Sequence, residues 1–80
     1  MDNPEILYMV VPCYNEEAVL NETAAQLKAK YISLIERKLI SPESRVVFVN
    51  DGSKDKTWSM IQELHSADPD FFSGIDLAHN

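Results

Sequence analysis

The chain has 80 residues, 45% of them apolar, and carries 13 acidic against 7 basic side chains for a net charge of −6. That length bounds it to one small domain with a limited core, and the apolar content is that of a folded protein, not a disordered one. The acidic balance argues against a nucleic-acid surface, which gathers Lys and Arg, but is compatible with a nucleotide held by backbone N–H groups and a metal.

Taken in chain order, residues 1–5 lack the basic start and apolar core of a secretory leader. The apolar run Ile6-Leu7-Tyr8-Met9-Val10-Val11 follows and ends at Pro12. Short continuous runs of this kind fit strands of a parallel sheet buried on both faces. A helical pattern comes next, with Leu20, Ala24, Leu27, Tyr31, Leu34 or Ile35, and Leu39 at spacings of three and four. Asn15 or Asn21 is placed to cap its start, and Ser41-Pro42 to stop it. The run Val46-Val47-Phe48-Val49 predicts a second strand, ending at Asn50-Asp51-Gly52-Ser53. A second helix is expected from Asp55 or Thr57, presenting Trp58, Ile61 and Leu64 on one face and ending before Asp68-Pro69. Over residues 71–78 the alternation of Ile75 and Leu77 with Asp76 predicts a third strand with one wetter face.

The order strand, helix, strand, helix, strand, with gaps too long for hairpins, predicts a right-handed βαβαβ unit. The expected fold is α/β: a parallel three-stranded half of a doubly wound, Rossmann-like nucleotide-binding domain spanning residues 1–80 and ending just after the third strand. Cys13 is the only cysteine, so no internal disulfide marks an oxidising compartment. No apolar run approaches the ~18 residues of a membrane span. A cytoplasmic location is the expectation.

In open parallel sheets ligands bind beyond the carboxyl ends of the strands, and here those ends are polar. The first leads into Pro12-Cys13-Tyr14-Asn15-Glu16-Glu17, the second into Asn50-Asp51-Gly52-Ser53-Lys54-Asp55, and the third into His79-Asn80. A carboxylate at a strand tip, Asp51, can accept a hydrogen bond from a ring N–H such as that of uracil; it is equally suited to start a turn with Gly52. Tyr14 offers a flat ring for a base or ribose, or packing over the strand end. Glu16 suits paired ribose hydroxyls, or the first turn of a helix, where the dipole favours an acid. Asp55 reads as a helix cap, Lys54 and Lys56 as solvated charges, His65 as structural, and Cys13 as a small core filler rather than a nucleophile. The chain has no dinucleotide-type glycine fingerprint, no P-loop, no zinc spacing and no nucleophile elbow.

Three segments resemble the motifs of family 2 glycosyltransferases. They are Val10-Val11-Pro12-Cys13-Tyr14-Asn15-Glu16-Glu17, then Val49-Asn50-Asp51-Gly52-Ser53-Lys54-Asp55-Lys56-Thr57, then Leu77-Ala78-His79-Asn80, in the family's order and across nearly the whole chain. The nearest likeness is to enzymes that move a sugar onto a polyprenyl phosphate, such as dolichol-phosphate mannose synthases and undecaprenyl-phosphate glucosyltransferases. The resemblance implies a GT-A fold and a nucleoside-diphosphate sugar donor, UDP-linked by preference. It implies that Pro12, Tyr14 and Glu16 border the nucleotide and that Asp51, helped by Asn50, reads the base. His79 stands where the family usually has Arg. Asn50 stands where many members have Asp.

The resemblance also implies Mg²⁺ or Mn²⁺, held by an Asp-x-Asp motif that lies outside this chain, and a catalytic base, acceptor site and membrane attachment on the cytoplasmic side that do as well. No residue here is therefore assigned a catalytic or metal-ligating role, and the 80 residues alone are expected to bind nucleotide weakly and turn over nothing. A non-catalytic α/β module, receiver-like or protein-interacting, is the alternative from another class. The partners expected are a nucleotide sugar and a polyprenyl-phosphate acceptor, with no nucleic acid. An exposed apolar first strand predicts, in addition, a homodimer through that edge.

Overall fold

The computed structural model describes residues 4–77. Three strands, β1 (Tyr8–Cys13), β2 (Arg45–Asn50) and β3 (Phe72–Asp76), alternate with two helices, α1 (Leu20–Glu36) and α2 (Thr57–Ala67). The sheet is parallel throughout in the order β1-β2-β3. This is the expected βαβαβ half of a Rossmann-like domain.

Register decides which side chains share a face. Val11 pairs with Phe48 and Phe48 with Gly74; Cys13 pairs with Asn50 and Asn50 with Asp76. These residues face the helices, and Val46 and Phe48 are wholly buried there with Leu20, Ala24 and Tyr31 of α1 and Ile61 of α2. Phe48 stacks on Phe72 at 5.7 Å, and Phe71 stands edge-on to Tyr31 and to Phe72 at 5.1 and 4.7 Å. Such pairs add about 0.5–1.5 kcal/mol each beyond the area they bury. The opposite face carries Tyr8, Val10 and Ile75, all exposed. The sheet is thus covered on one side, whereas the apolar runs suggested strands buried on both.

β1 begins two residues later than the apolar run and extends through Pro12 to Cys13. Three hydrogen bonds explain the shift. The Leu7 N–H donates to the buried Ser44 hydroxyl instead of to a strand carbonyl. The Leu7 carbonyl accepts from Arg45, and at the other end the Cys13 carbonyl accepts from Asp51. By alternation, Tyr8, Val10 and Pro12 turn their main chain to the free edge, where the missing N–H of Pro12 breaks no ladder bond.

α1 stops at Glu36, short of Leu39. Lys38 takes φ +61°, its N–H donates to the Ile35 carbonyl and that of Leu39 to the Leu34 carbonyl. This is a Schellman termination with lysine where glycine is usual, and it leaves Leu39 exposed. Neither Asn15 nor Asn21 caps the helix: Val19 holds the cap position without a side-chain bond, and the carbonyl of Glu16 accepts the first amides. α2 meets its expected limits, with Ile61 buried and Trp58 and Leu64 half-buried. In β3 the expected faces are inverted. Asp76 faces the helices with Asn50, and Ile75 and Leu77 are exposed.

Gly74 lets α2 approach β3. An added Cβ there would overlap Ile61 Cγ2 and lie 3.2 Å from the Trp58 ring. At the far end Lys28 pairs with Asp68 and lies over the Phe71 ring, tying α1 to the end of α2. His65 Nδ1 lies 2.8 Å from the Phe72 carbonyl, which accepts its proton and gives the ring the structural role expected of it.

Candidate nucleotide site at the carboxyl edge of the sheet

The last row of the sheet is Cys13, Asn50 and Asp76. Two further hydrogen bonds carry the ladders one step past it, from Asp51 N–H to the Cys13 carbonyl and from Leu77 N–H to the Asn50 carbonyl, both at 2.9 Å. They fix where the chain leaves each strand. Asp51 therefore emerges at the tip of β2, exposed, next to the exit of β1, from which Tyr14 projects 54% exposed. Pro12 is exposed and Glu16 half-buried on the same edge.

Asn50 behaves differently. It is 2% exposed, beneath the helices, and its amide Nδ2 donates to Asp76 Oδ1 at 3.0 Å. Its Oδ1 is buried and has no hydrogen-bond partner among the described residues. The structure thus brings Pro12, Tyr14, Glu16 and Asp51 to one edge and places Asn50 inside it, where it ties β2 to β3. His79 lies outside the described residues. Cys13 is buried, and burial, followed by the nearby Glu16 charge, pushes its thiol above the ordinary value. Both effects oppose a reactive thiolate.

The two tip loops are stitched together by five hydrogen bonds. Asn15 N–H donates to Ser53 Oγ at 2.9 Å, and Asn15 Oδ1 accepts from the Lys54 N–H at 2.8 Å. Glu16 N–H donates to Thr57 Oγ1 at 2.8 Å. Glu17 N–H donates to Asp55 Oδ2 at 3.2 Å, and Glu17 Oε1 accepts from the Lys56 N–H at 3.3 Å. Asn15 turns the chain with φ +52°, a conformation asparagine tolerates better than most residues. Asp55 Oδ1 accepts from both the amide and the hydroxyl of Thr57, at 2.9 and 2.5 Å, and so serves the start of α2 as the sequence suggested. The hydroxyl contact, ahead of the amide contacts, holds the Asp55 carboxyl below its ordinary value.

Asn15, Ser53 and Thr57 are functional candidates that pattern reading missed. Asp55 and Thr57, two apart at a helix start, are a local capping signal, but their link to Glu16 is a tertiary one. A depression of about 180 Å³ lies beside the site, lined by Val11, Pro12, Cys13, Glu16, Leu20 and Thr23. A larger one of about 310 Å³, beside Trp58, His65 and Gly74, flanks α2 and β3 rather than the strand tips. The chemistry of the strand ends favours the first. Among the described residues no three His, Cys, Asp or Glu side chains are grouped to hold a metal ion. No step below runs through a metal ion. Among the described residues no helix is long and apolar enough to cross a membrane.

A parallel sheet with polar, mutually braced loops at its carboxyl edge is the class of α/β architecture that binds ligands beyond its strand ends. Residues 8–80 match the model of glycosyl transferase family 2, and the chain belongs to that family. It is 47% identical over 75 residues to an uncharacterized glycosyltransferase, YkoT, of Bacillus subtilis, covering 94% of this chain and 22% of that protein. It is 40% identical over 70 residues to a dolichyl-phosphate beta-glucosyltransferase of Trichomonas vaginalis, covering 82% of this chain and 20% of that one. It is 43% identical over 61 residues to a prophage bactoprenol glucosyl transferase homolog of Escherichia coli, with 76% and 18% covered. The chain thus spans about a fifth of the length of these relatives. No solved structure matches it. Family membership decides against the receiver-like alternative.

Proposed function

We propose that this chain forms the donor-nucleotide half of a glycosyltransferase that takes its sugar from a UDP-sugar. The exposed carboxylate of Asp51 at the tip of β2 carries the reading. Its backbone is anchored to Cys13, its side chain is open to solvent, and Tyr14 projects from the adjoining strand end. A carboxylate accepts from a uracil N3–H, Tyr14 supplies a face for base or ribose, and Glu16 accepts from ribose hydroxyls. Pro12 shapes the wall, and a nucleotide contact by His79, outside the described residues, belongs to the same proposal.

The acceptor proposed is a polyprenyl phosphate, on the names of the Trichomonas and Escherichia relatives. The whole enzyme then works at a cytoplasmic membrane surface in envelope or lipid-linked sugar assembly. Mg²⁺ or Mn²⁺ belongs to this proposal, held by residues other than those of this chain, as does the inactivity of the 80 residues alone. Donor-side binding, not turnover, is what they contribute. We also propose self-association through the free edge of β1, whose outward main chain at Tyr8 and Val10 adjoins an exposed apolar face.

Chemical-shift mapping with UMP tests the donor reading. The expected result is that the largest changes fall at Tyr14, Glu16 and Asp51. Changes confined to the depression beside Trp58 and His65 would move the site to the other edge of the sheet.

A further inference from the structure

We propose that Thr57 and Asp55 are positioning residues that set the nucleotide loop of residues 14–17 through hydrogen bonds from the start of α2. The inference rests on the donor-nucleotide reading above and adds a role for two residues that need not touch the ligand.

Thr57 is wholly buried, so its hydroxyl must be paired within the protein. An ordinary capping hydroxyl would satisfy an amide of its own helix. This one accepts from the Glu16 amide, 41 residues earlier in the chain, and donates to Asp55. Asp55 in turn accepts from the Glu17 amide with its second oxygen. Two consecutive amides of the first loop are thus held by two residues of the second. Between these amides and Tyr14 stands Asn15, whose positive φ reverses the chain and whose side chain takes the Lys54 amide. The direction in which Tyr14 and Glu16 face Asp51 therefore depends on the stitch. Nothing in the stitch is apolar packing, so removing one hydroxyl should loosen the loop and leave the core intact.

The experiment compares Thr57→Val, Thr57→Ser and Asp55→Ala with the parent chain by amide hydrogen exchange and by UMP titration. Thr57→Val keeps the volume and deletes the hydroxyl; Asp55 is exposed, so Asp55→Ala removes no buried side chain and keeps the test open even if the valine variant fails to fold. The Glu16 amide in Thr57→Val and the Glu17 amide in Asp55→Ala should lose protection by roughly five- to tenfold, as expected for one net hydrogen bond. UMP affinity should fall by a similar factor in both, and Thr57→Ser should restore protection and affinity together. Unchanged protection at residues 15–17 in a folded variant would overturn the stitch. Lost protection with unchanged UMP affinity would overturn its positioning role. Exchange needs no nucleotide, so a parent chain that shows the protection pattern but binds no UMP would defeat the donor reading and the positioning role with it, leaving only a structural brace.

Discussion

Three donors meet the carboxylate of Asp55: the hydroxyl and amide of Thr57 and the amide of Glu17. Their preference for the ionised acceptor lowers its pKa, and a depressed carboxyl contributes stability that is present above the unfolded value and lost as pH falls through the folded one. The window is therefore below about pH 4. An NMR titration of the Asp55 carboxyl carbon should give a midpoint below the ordinary aspartate value, and Thr57→Val should move it upward. An unchanged midpoint would mean that the hydroxyl contact is not made in solution. The same residues show what a sequence discloses. The exposed positions of Asp51 and Tyr14 at the strand tips were legible because each follows closely on the end of an apolar run. Asn50 was not, because whether a strand's last residue faces in or out depends on its neighbours' register. Thr57 was not, because its partner is distant in sequence.

At the scale of elements, the limits of α2 were legible and the end of α1 was not. The apolar spacing runs on to Leu39, but termination depends on backbone geometry at Lys38, which carries the left-handed φ of +61° without being glycine. Lys38→Gly should stabilise the chain by about 1 kcal/mol, read from a denaturant melt, because glycine adopts that conformation without a Cβ penalty. The opposite is expected where glycine is required by packing. Gly74→Ala would drive a methyl into Ile61 and Trp58 and should cost about 1–3 kcal/mol. A neutral effect would mean that α2 does not sit tightly on β3. The face of β3 was misread for a related reason: Asp76 is drawn inward by the Asn50 amide, a pairing that local alternation cannot reveal.

For the whole molecule, the sheet's asymmetry is the dominant fact. Both helices cover one face, and Tyr8, Val10 and Ile75 remain exposed on the other, the first two beside the free β1 edge. The βαβαβ order was legible because crossover lengths and handedness leave few alternatives. The single covered layer was not, since a buried run and a half-covered run of valines read alike. Sedimentation over a range of concentrations should show reversible association, weakened by Val10→Lys on the open face next to that edge. A single monomeric species at high concentration would remove the self-association proposal while leaving the donor site unaffected.

The most direct test of the donor site is calorimetric titration of the chain with UDP and GDP, repeated on Asp51→Ala. The account predicts binding of UDP in preference to GDP, with the preference lost when the carboxylate is removed. A folded chain that binds both nucleotides alike, or a variant that keeps the preference for UDP, would contradict the assignment of base recognition to Asp51.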